Sequence, residues 1–265
     1  MSNALIVIPA RMGSTRFPGK PLAEISGVSM VRRTAKIAAS IPGADYIIAT
    51  DHHEIENHCK SFSLPVVMTD SSLRSGSDRT LAAANIVNPE CEILVNLQGD
   101  APFTDPEHIQ LILERLGSSE VDIATPAIQL DWDSLDRLRH AKEITPFSGT
   151  TVIEDDGRAI WFSKNIIPVI RNEAKLRTVQ ALSPVLRHIG LYGFRRTALE
   201  KFTALRPSRY ETLEGLEQLR ALENGLHIAL VKVAPPKISS PGIDTPEDLA
   251  RAEELILDFG DPFIS

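Results

Sequence analysis

The densest chemistry in the chain lies in the segment PARMGSTRFPGKPL, where Arg11, Arg16 and Lys20 stand among Gly13, Ser14, Thr15, Pro18, Gly19 and Pro21. Small residues leave backbone N–H groups open, and three cations in one short loop can neutralise a polyphosphate. The spacing is not that of a P-loop NTPase. Five residues separate Gly13 from Gly19 where that motif has four, and Pro21 occupies the place of its magnesium-binding hydroxyl. Nor does the loop read G-x-G-x-x-G. A solvated basic turn is the alternative, but it does not account for three cations confined to one glycine-containing loop.

Two aspartates complement those cations. Asp100 ends the apolar run EILVNLQGD, which puts its carboxylate at the carboxyl edge of a sheet, where open α/β folds bind ligands. Asp244 follows a Pro-Gly turn in SPGIDTPEDL and could reach the same cleft. Hard oxygen ligands of this kind suit Mg²⁺ shared with substrate phosphates. By residue type alone, Asp100 could equally close an Asx turn and Asp244 flank a helix. Ser75, Gly76, Asp78 and Arg79 in RSGSDRT read either as a helix cap or as a ligand site, although a cap leaves Arg79 unexplained. His188 and Tyr192, four apart, would share one face of a strand, as packing or as hydroxyl-binding groups. Glu211, Glu214 and Glu217 follow on one helix, some of them on its solvated face. No Ser/His/Asp or Cys/His arrangement has local support.

The elements that position these groups read as an α/β series. ALIVIPA, ADYIIATD, LPVVMT and EILVNLQGD are short, β-rich runs bounded by Gly, Pro, Asp or Ser. Helical patterns lie around Ser29 to Ser40, His53 to Phe62, Ser77 to Ile86 and Asp105 to Leu116, which predicts a mostly parallel sheet with right-handed crossovers. After VDIATPAIQ come a helix from Trp132 to His140 and a hairpin in TTVIEDDGRAIWFS around a DDG turn. HIGLYGF reads as one strand, Thr212 to Glu223 as one helix stopped by Asn224 and Gly225, and HIALVKV as a further strand. TPEDLARAEELILD closes the chain as a helix, with Thr245 as N-cap, Pro246 at the first position and Asp248 completing a capping box. The expectation is one doubly wound α/β domain spanning residues 1–265, with a small subdomain at roughly 131–183.

With 265 residues, 43% of them hydrophobic, the chain can bury a sizeable core. A formal charge of −7 argues against a nucleic-acid surface and for a small partner. Cys59 and Cys91 read as reduced thiols. MSNALIVIPARMGS carries no basic leader before its short apolar run, so neither a signal peptide nor a membrane span is expected, and the expected location is cytoplasmic. There is no low-complexity stretch or solenoid repeat.

IPARMGSTRFPGKPL resembles the signature loop of the sugar nucleotidyltransferases, and its PAR-x-x-S-T-R-x-P-G-K-P-L pattern is similar to that of the 3-deoxy-manno-octulosonate (Kdo) cytidylyltransferases. The likeness continues through DYIIATDH, SGSDR, VNLQGDAP, FSKNIIP, RHIGLYGF, LEGLEQLRALENG and GIDTPEDL, nearly the whole chain. It implies a nucleotide-diphospho-sugar transferase fold, CTP and an acidic keto sugar as substrates, pyrophosphate release, Mg²⁺ as cofactor and a homodimer serving lipopolysaccharide biosynthesis. Carried over residue by residue, it assigns Arg11, Lys20 and Asp100 to catalysis, and Arg11, Gly13, Ser14, Arg16, Lys20, Ser75, Gly76, Arg79 and Asp100 to the nucleotide. It assigns Gln98, Lys164, His188, Tyr192 and Glu211 to the sugar, and Asp100 with Asp244 to the metal.

Three places depart from the family pattern. Ala101 replaces an acidic residue after QGD, Lys164 replaces the Arg of FSRA-x-IP, and ITPFSG stands in place of an NPN-like stretch. A Lys can hold a carboxylate, but without the bidentate geometry of Arg. An amino-modified Kdo, another ulosonic acid or a small phosphonate is therefore an alternative acceptor. A non-catalytic nucleotide sensor is a different class of reading, opposed by the intact Arg11, Lys20, Asp100 and Asp244. A nicotinamide dehydrogenase would need the glycine fingerprint and acidic partner that are missing.

Overall fold

In a computed structural model, residues 3–13, 16–118, 121–238 and 242–264 are described. In chain order the strands are β1 (Ala4–Ala10), β2 (Glu24–Ile25), β3 (Val28–Ser29), β4 (Ala44–Thr50), β5 (Val66–Met68), β6 (Ile93–Asn96), β7 (Ile123–Asp131), β8 (Thr150–Asp155), β9 (Arg158–Ser163), β10 (Leu182–His188), β11 (Tyr192–Arg195) and β12 (Ile228–Lys232). The helices are α1 (Met30–Ala39), α2 (His53–Ser61), α3 (Gly76–Val87), α4 (Pro106–Ser118), α5 (Trp132–Ile144), α6 (Glu173–Val179), α7 (Arg196–Ala204), α8 (Arg209–Glu214), α9 (Gln218–Glu223) and α10 (Pro246–Phe259).

Ten strands form one sheet in the order β10-β8-β9-β12-β7-β11-β6-β1-β4-β5. Strand β1 shows why it needs helices on both faces: Leu5 and Val7 enter one apolar cluster while Ala4, Ile6, Ile8 and Ala10 enter the other. Alternating side chains buried on both faces are the mark of a central parallel strand.

The parallel expectation holds for β6, β1, β4 and β5 and for the β7–β12 pair. The sheet as a whole is mixed. Strand β11 runs antiparallel between β6 and β7, and β8, β9 and β10 pair antiparallel as well. Because β10 also pairs with β7, strands β7, β10, β8, β9 and β12 close into a ring. Two further expectations change. HIGLYGF is not one strand, since the chain leaves β7 after His188 and joins β6 at Tyr192. The helix expected from Thr212 to Glu223 is two, because Gly215 takes a left-handed φ of 64° that ends α8 as a C-cap.

The C-terminal end folds back on the start. Helix α10 has the expected capping box on Thr245 and Asp248, and Ile243, Ala252 and Ile256 pack on Ile25 and Met30. Beyond it, Asp261 takes both Nη atoms of the buried Arg33 at 2.6 and 2.9 Å. Among the described residues, no helix is long and apolar enough to cross a membrane, and both cysteines are free and buried.

Helix α4 crosses β11 at Gly193, where an added Cβ would stand 2.4 Å from Ile112 Cγ2 and 2.7 Å from Leu116 Cδ1. Gly193→Ala should therefore lower the unfolding free energy by about 1–3 kcal/mol, read as a shift in urea midpoint at unchanged slope.

Candidate active site

From β1 the chain builds outward through β4 and β5, then returns on the other side of β1 as β6. The carboxyl ends of β1 and β6 thus flank the switch point at which open α/β sheets leave a crevice. The basic loop leaves β1 at Arg11, and the turn bearing Gln98 and Asp100 leaves β6 after Asn96. The two segments touch at Gly99, where a Cβ would lie 2.5 Å from the carbonyl oxygen of Pro9, so the approach needs glycine.

Lys20, placed by the left-handed Gly19, extends its ammonium between two carboxylates. Its Nζ lies 2.6 Å from Asp100 Oδ2 and 3.1 Å from Asp244 Oδ1. Arg16 reaches the other oxygen of Asp244 at 3.1 Å. Backbone bonding ties the aspartates together: the N–H of Ile243 donates to the carbonyl of Asp100 at 2.8 Å, and the N–H of Asp244 to Asp248 Oδ2. Burial pulls the Lys20 pKa down, but Asp100 and then Asp244 outweigh it, so the ammonium is held above its ordinary value.

Arg11 extends the other way, donating to the carbonyls of Leu73 at 2.9 Å and Arg74 at 3.3 Å just ahead of α3. That helix opens with a capping box between Ser75 and Asp78. Gly76 lets its first turn sit against Asn96 and Gln98, whose amide nitrogens lie 3.1 and 3.5 Å from where a Cβ would be. The edge of the sheet thus carries a cationic loop, a helix N-terminus and two carboxylates that one cation already bridges.

A family model described as cytidylyltransferase matches residues 5–228. A 3-deoxy-manno-octulosonate cytidylyltransferase from Maricaulis maris is 43% identical, over 96% of this chain and 97% of the relative. One from Rhizobium etli is 36% identical, over 97% and 96%. The solved structure of CMP:2-keto-3-deoxy-manno-octonic acid synthetase complexed with CTP superposes with a TM-score of 0.83 at 32% identity, covering 96% of this chain and 98% of that one. The chain belongs to the 3-deoxy-manno-octulosonate cytidylyltransferase family.

Beside the crevice lies a small second pocket, lined by Ser77, Tyr192, Phe194, Phe202, Glu217 and Gln218. Because β11 runs antiparallel, its first residue, Tyr192, pairs with Asn96 at the end of β6. His188 sits 5.4 Å from Tyr192, ring to ring, although the two belong to different strands. Phe162 closes edge-on to His188 at 5.0 Å. Thr125 Oγ1 donates its proton to the carbonyl of Leu191 at 2.7 Å, so His188 Nε2, 2.8 Å from the same oxygen, must be the donor. Nδ1 is then left as an acceptor. Burial, with the charge of Lys164 second, holds the His188 pKa down to about 3. Burial and then Glu217 push the Tyr192 hydroxyl well above its ordinary value.

Of the residues singled out in the sequence, the structure gathers Lys20, Arg16, Asp100 and Asp244 in one cluster and Arg11, Ser75, Gly76 and Gln98 along the crevice; it sets His188 against Tyr192, with Lys164 near enough for its charge to act on His188. Ser14 lies outside the described residues, and a Cβ on Gly13 would meet no described atom within 4 Å. Two expectations change. Glu211, assigned to the sugar, spends both oxygens on Arg220 and on the N–H of Ser208, as the N-terminal cap of α8. Arg79, assigned to the nucleotide, is fully buried and bound to Asp51 at 2.7 Å and Thr69 at 2.5 Å, bracing α3 against the ends of β4 and β5 behind the crevice.

Sequence reasoning missed Glu217 as a pocket group. It takes a hydrogen bond from Ser77 at 3.0 Å, and burial raises its pKa. The adjoining Gln218 is buried, and its Nε2 has no hydrogen-bond partner among the described residues. The signal was present in the polar pair Glu217–Gln218 between buried Leu216 and Leu219, which no purely solvated face would show.

His188 generates a prediction. Its folded-state pKa lies below the ordinary 6.5, so the stability it contributes is present above about pH 6.5 and lost as pH falls toward 3. Long-range ¹H–¹⁵N NMR should show a neutral, Nε2-protonated ring with no titration from pH 5 to 8. A midpoint near 6.5 in the folded protein would contradict this environment.

Proposed function

We propose that this chain joins CTP to 3-deoxy-manno-octulosonate, forming the CMP-sugar and pyrophosphate, with the triphosphate in the crevice and the keto sugar in the aromatic pocket. The observation that carries this reading is the Lys20 ammonium held between Asp100 and Asp244, beside Arg16. A sugar hydroxyl attacks the α-phosphorus. One oxygen–phosphorus bond forms, the bond to the bridging α–β oxygen breaks, the hydroxyl proton is released to solvent, and pyrophosphate leaves. The barrier is dominated by bringing an acidic sugar up to a polyanion, which positioned cations lower.

The residues divide that task by charge. Arg11, Arg16 and Lys20 neutralise the triphosphate and the departing pyrophosphate. Among the described residues no three metal-ligating side chains cluster, and two aspartates reached by one ammonium form a donor set of the kind Mg²⁺ accepts when phosphates complete its shell. When bound, the ion would polarise the α-phosphate. In the pocket, Lys164 offers the only unpaired cation among the described groups just named, suited to the sugar carboxylate, while His188 Nδ1 and the Tyr192 hydroxyl hydrogen-bond sugar hydroxyls without adding charge. Gln98 and Glu217 border both ligands.

A different acid acceptor is the second reading, favoured by Lys164 itself, whose ammonium makes one point contact where a guanidinium would make two. We further propose a homodimer in the cytoplasm, supplying lipopolysaccharide synthesis, with residues 131–183 as the subdomain that carries the sugar side and the subunit contact.

Pyrophosphate release should require CTP and Mg²⁺ together. Asp100→Ala and Asp244→Ala should each cut kcat about 10²–10³-fold while the circular dichroism spectrum is unchanged. Full activity in the Asp100→Ala protein would end this mechanism. A panel of Kdo, 8-amino-Kdo, other ulosonic acids and phosphonates in the same assay separates the two acceptor readings.

A further inference from the structure

Lys164 is the first residue beyond β9, so neither of its backbone groups continues the ladder. Such groups need partners when they are half-buried. Both partners here are charged. The N–H of Lys164 donates to Glu214 Oε2 at 2.8 Å, and its carbonyl accepts from Lys142 Nζ at 2.5 Å. Glu214 Oε1 also takes the hydroxyl proton of the buried Ser163 at 2.9 Å. Lys142 is a hub in its own right, donating to the carbonyls of Ser148 and Gly149 at 2.6 and 2.9 Å and thereby folding the segment after α5 onto the end of β9.

The Lys164 side chain is left apart from all this. Its ammonium makes no hydrogen bond or ion pair with the described residues, yet its charge is felt by His188. Glu214 stands at the very end of α8, immediately before the left-handed Gly215, so the break between α8 and α9 is what turns its carboxylate onto β9.

We propose that Glu214 and Lys142 are positioning residues for acceptor binding: they grip the two backbone groups of Lys164 from opposite sides and so aim its free ammonium into the pocket of His188 and Tyr192. This rests on the reading of Lys164 as the carboxylate-binding cation. The clamp substitutes for preorganisation that a guanidinium obtains from its own planar fork. A flexible four-carbon stem has only its backbone to fix where it starts. Burial lowers the Lys164 pKa, and the Glu214 charge opposes that shift.

The test is steady-state pyrophosphate release with each substrate varied in turn, for Lys164→Ala, Glu214→Ala, Glu214→Gln, Lys142→Met and the double variant Lys164→Ala/Glu214→Ala. Glu214→Ala and Lys142→Met should each raise KM for the acid about tenfold or more, with KM for CTP changed less than about twofold, since a charge-assisted hydrogen bond is lost at each. Glu214→Gln keeps an acceptor for the Lys164 N–H and should recover most of the acid KM, which also covers the case in which the alanine variant fails to fold. In the Lys164→Ala background, Glu214→Ala should add less than about threefold, because the group it aims is gone. Full additivity there, or equal rises in both KM values, overturns the clamp and leaves the cytidylyl-transfer reading standing. A Lys164→Ala enzyme with unchanged acid KM overturns the clamp and the Lys164 assignment together. A wild-type protein that releases no pyrophosphate with any acid overturns the reading on which both rest.

Discussion

Everything at the sheet edge beside β1 and β6 depends on keeping two carboxylates close together in a partly enclosed crevice. Like charges a few ångströms apart repel by an amount on the order of a few kcal/mol at the effective dielectric of a protein surface, and burial makes each harder to ionise. Lys20 resolves this by standing between them, from positions 80 and 224 residues away in the chain. Such distant parts meet only if the whole fold is complete. The β1 loop supplies the cation, the turn after β6 supplies Asp100, and the segment just ahead of α10 supplies Asp244. The Arg33–Asp261 pair and the packing of Ile243 and Ile256 on Met30 hold that last element down, so features far from the crevice determine its electrostatics.

The two halves of the cleft are specialised by charge state rather than by distance. Along the crevice, partly exposed cations face a site for a polyanion, and solvent moderates their mutual repulsion. In the pocket, desolvation acts on groups that stay neutral: the imidazole of His188 without its second proton and the phenol of Tyr192 with its own. Neutral donors and acceptors can recognise hydroxyls in a dry environment without the desolvation cost of an ion. One cation, Lys164, stands near enough for its charge to act on His188.

How much of this was legible in the sequence depends on which physical quantity decided each residue. The places of Lys20 and Asp100 after strands put both at the carboxyl edge of the sheet, whereas the arrival of Asp244 beside them was only a possibility in the sequence, because it depends on how the C-terminal segment folds back. Strand direction is less visible, since alternation of side chains looks the same whichever way a strand runs. For that reason β11 read as a continuation of the strand carrying His188. Glu211 and Glu217 were separable only by helix phase, and Gly215 resets the phase between them, so that Glu211 gives both oxygens to Arg220 while Glu217 shares Arg220 with one oxygen and takes Ser77 with the other. Arg79 has the side chain of a ligand-binding residue, but its burial behind α3 is a tertiary fact that its neighbours SGSD-RT do not reveal.

The distribution of unsatisfied polar atoms completes the argument. Among the described residues, the buried side-chain atoms without partners are Arg79 Nε, Asn96 Oδ1 and Gln218 Nε2. Each such atom costs roughly 1–3 kcal/mol, so a fold shaped for stability alone would have no use for them. None is random in place. Asn96 lies under the first turn of α3 and is paired across the sheet with Tyr192, Gln218 adjoins Glu217 on the pocket side, and Arg79 braces α3 from behind. Arg79 belongs to α3, Asn96 lies against its first turn, and the Ser77–Glu217 hydrogen bond ties the same helix to the segment that carries Gln218. The large two-faced core around β1 supplies the stability that lets this seam stay under-satisfied.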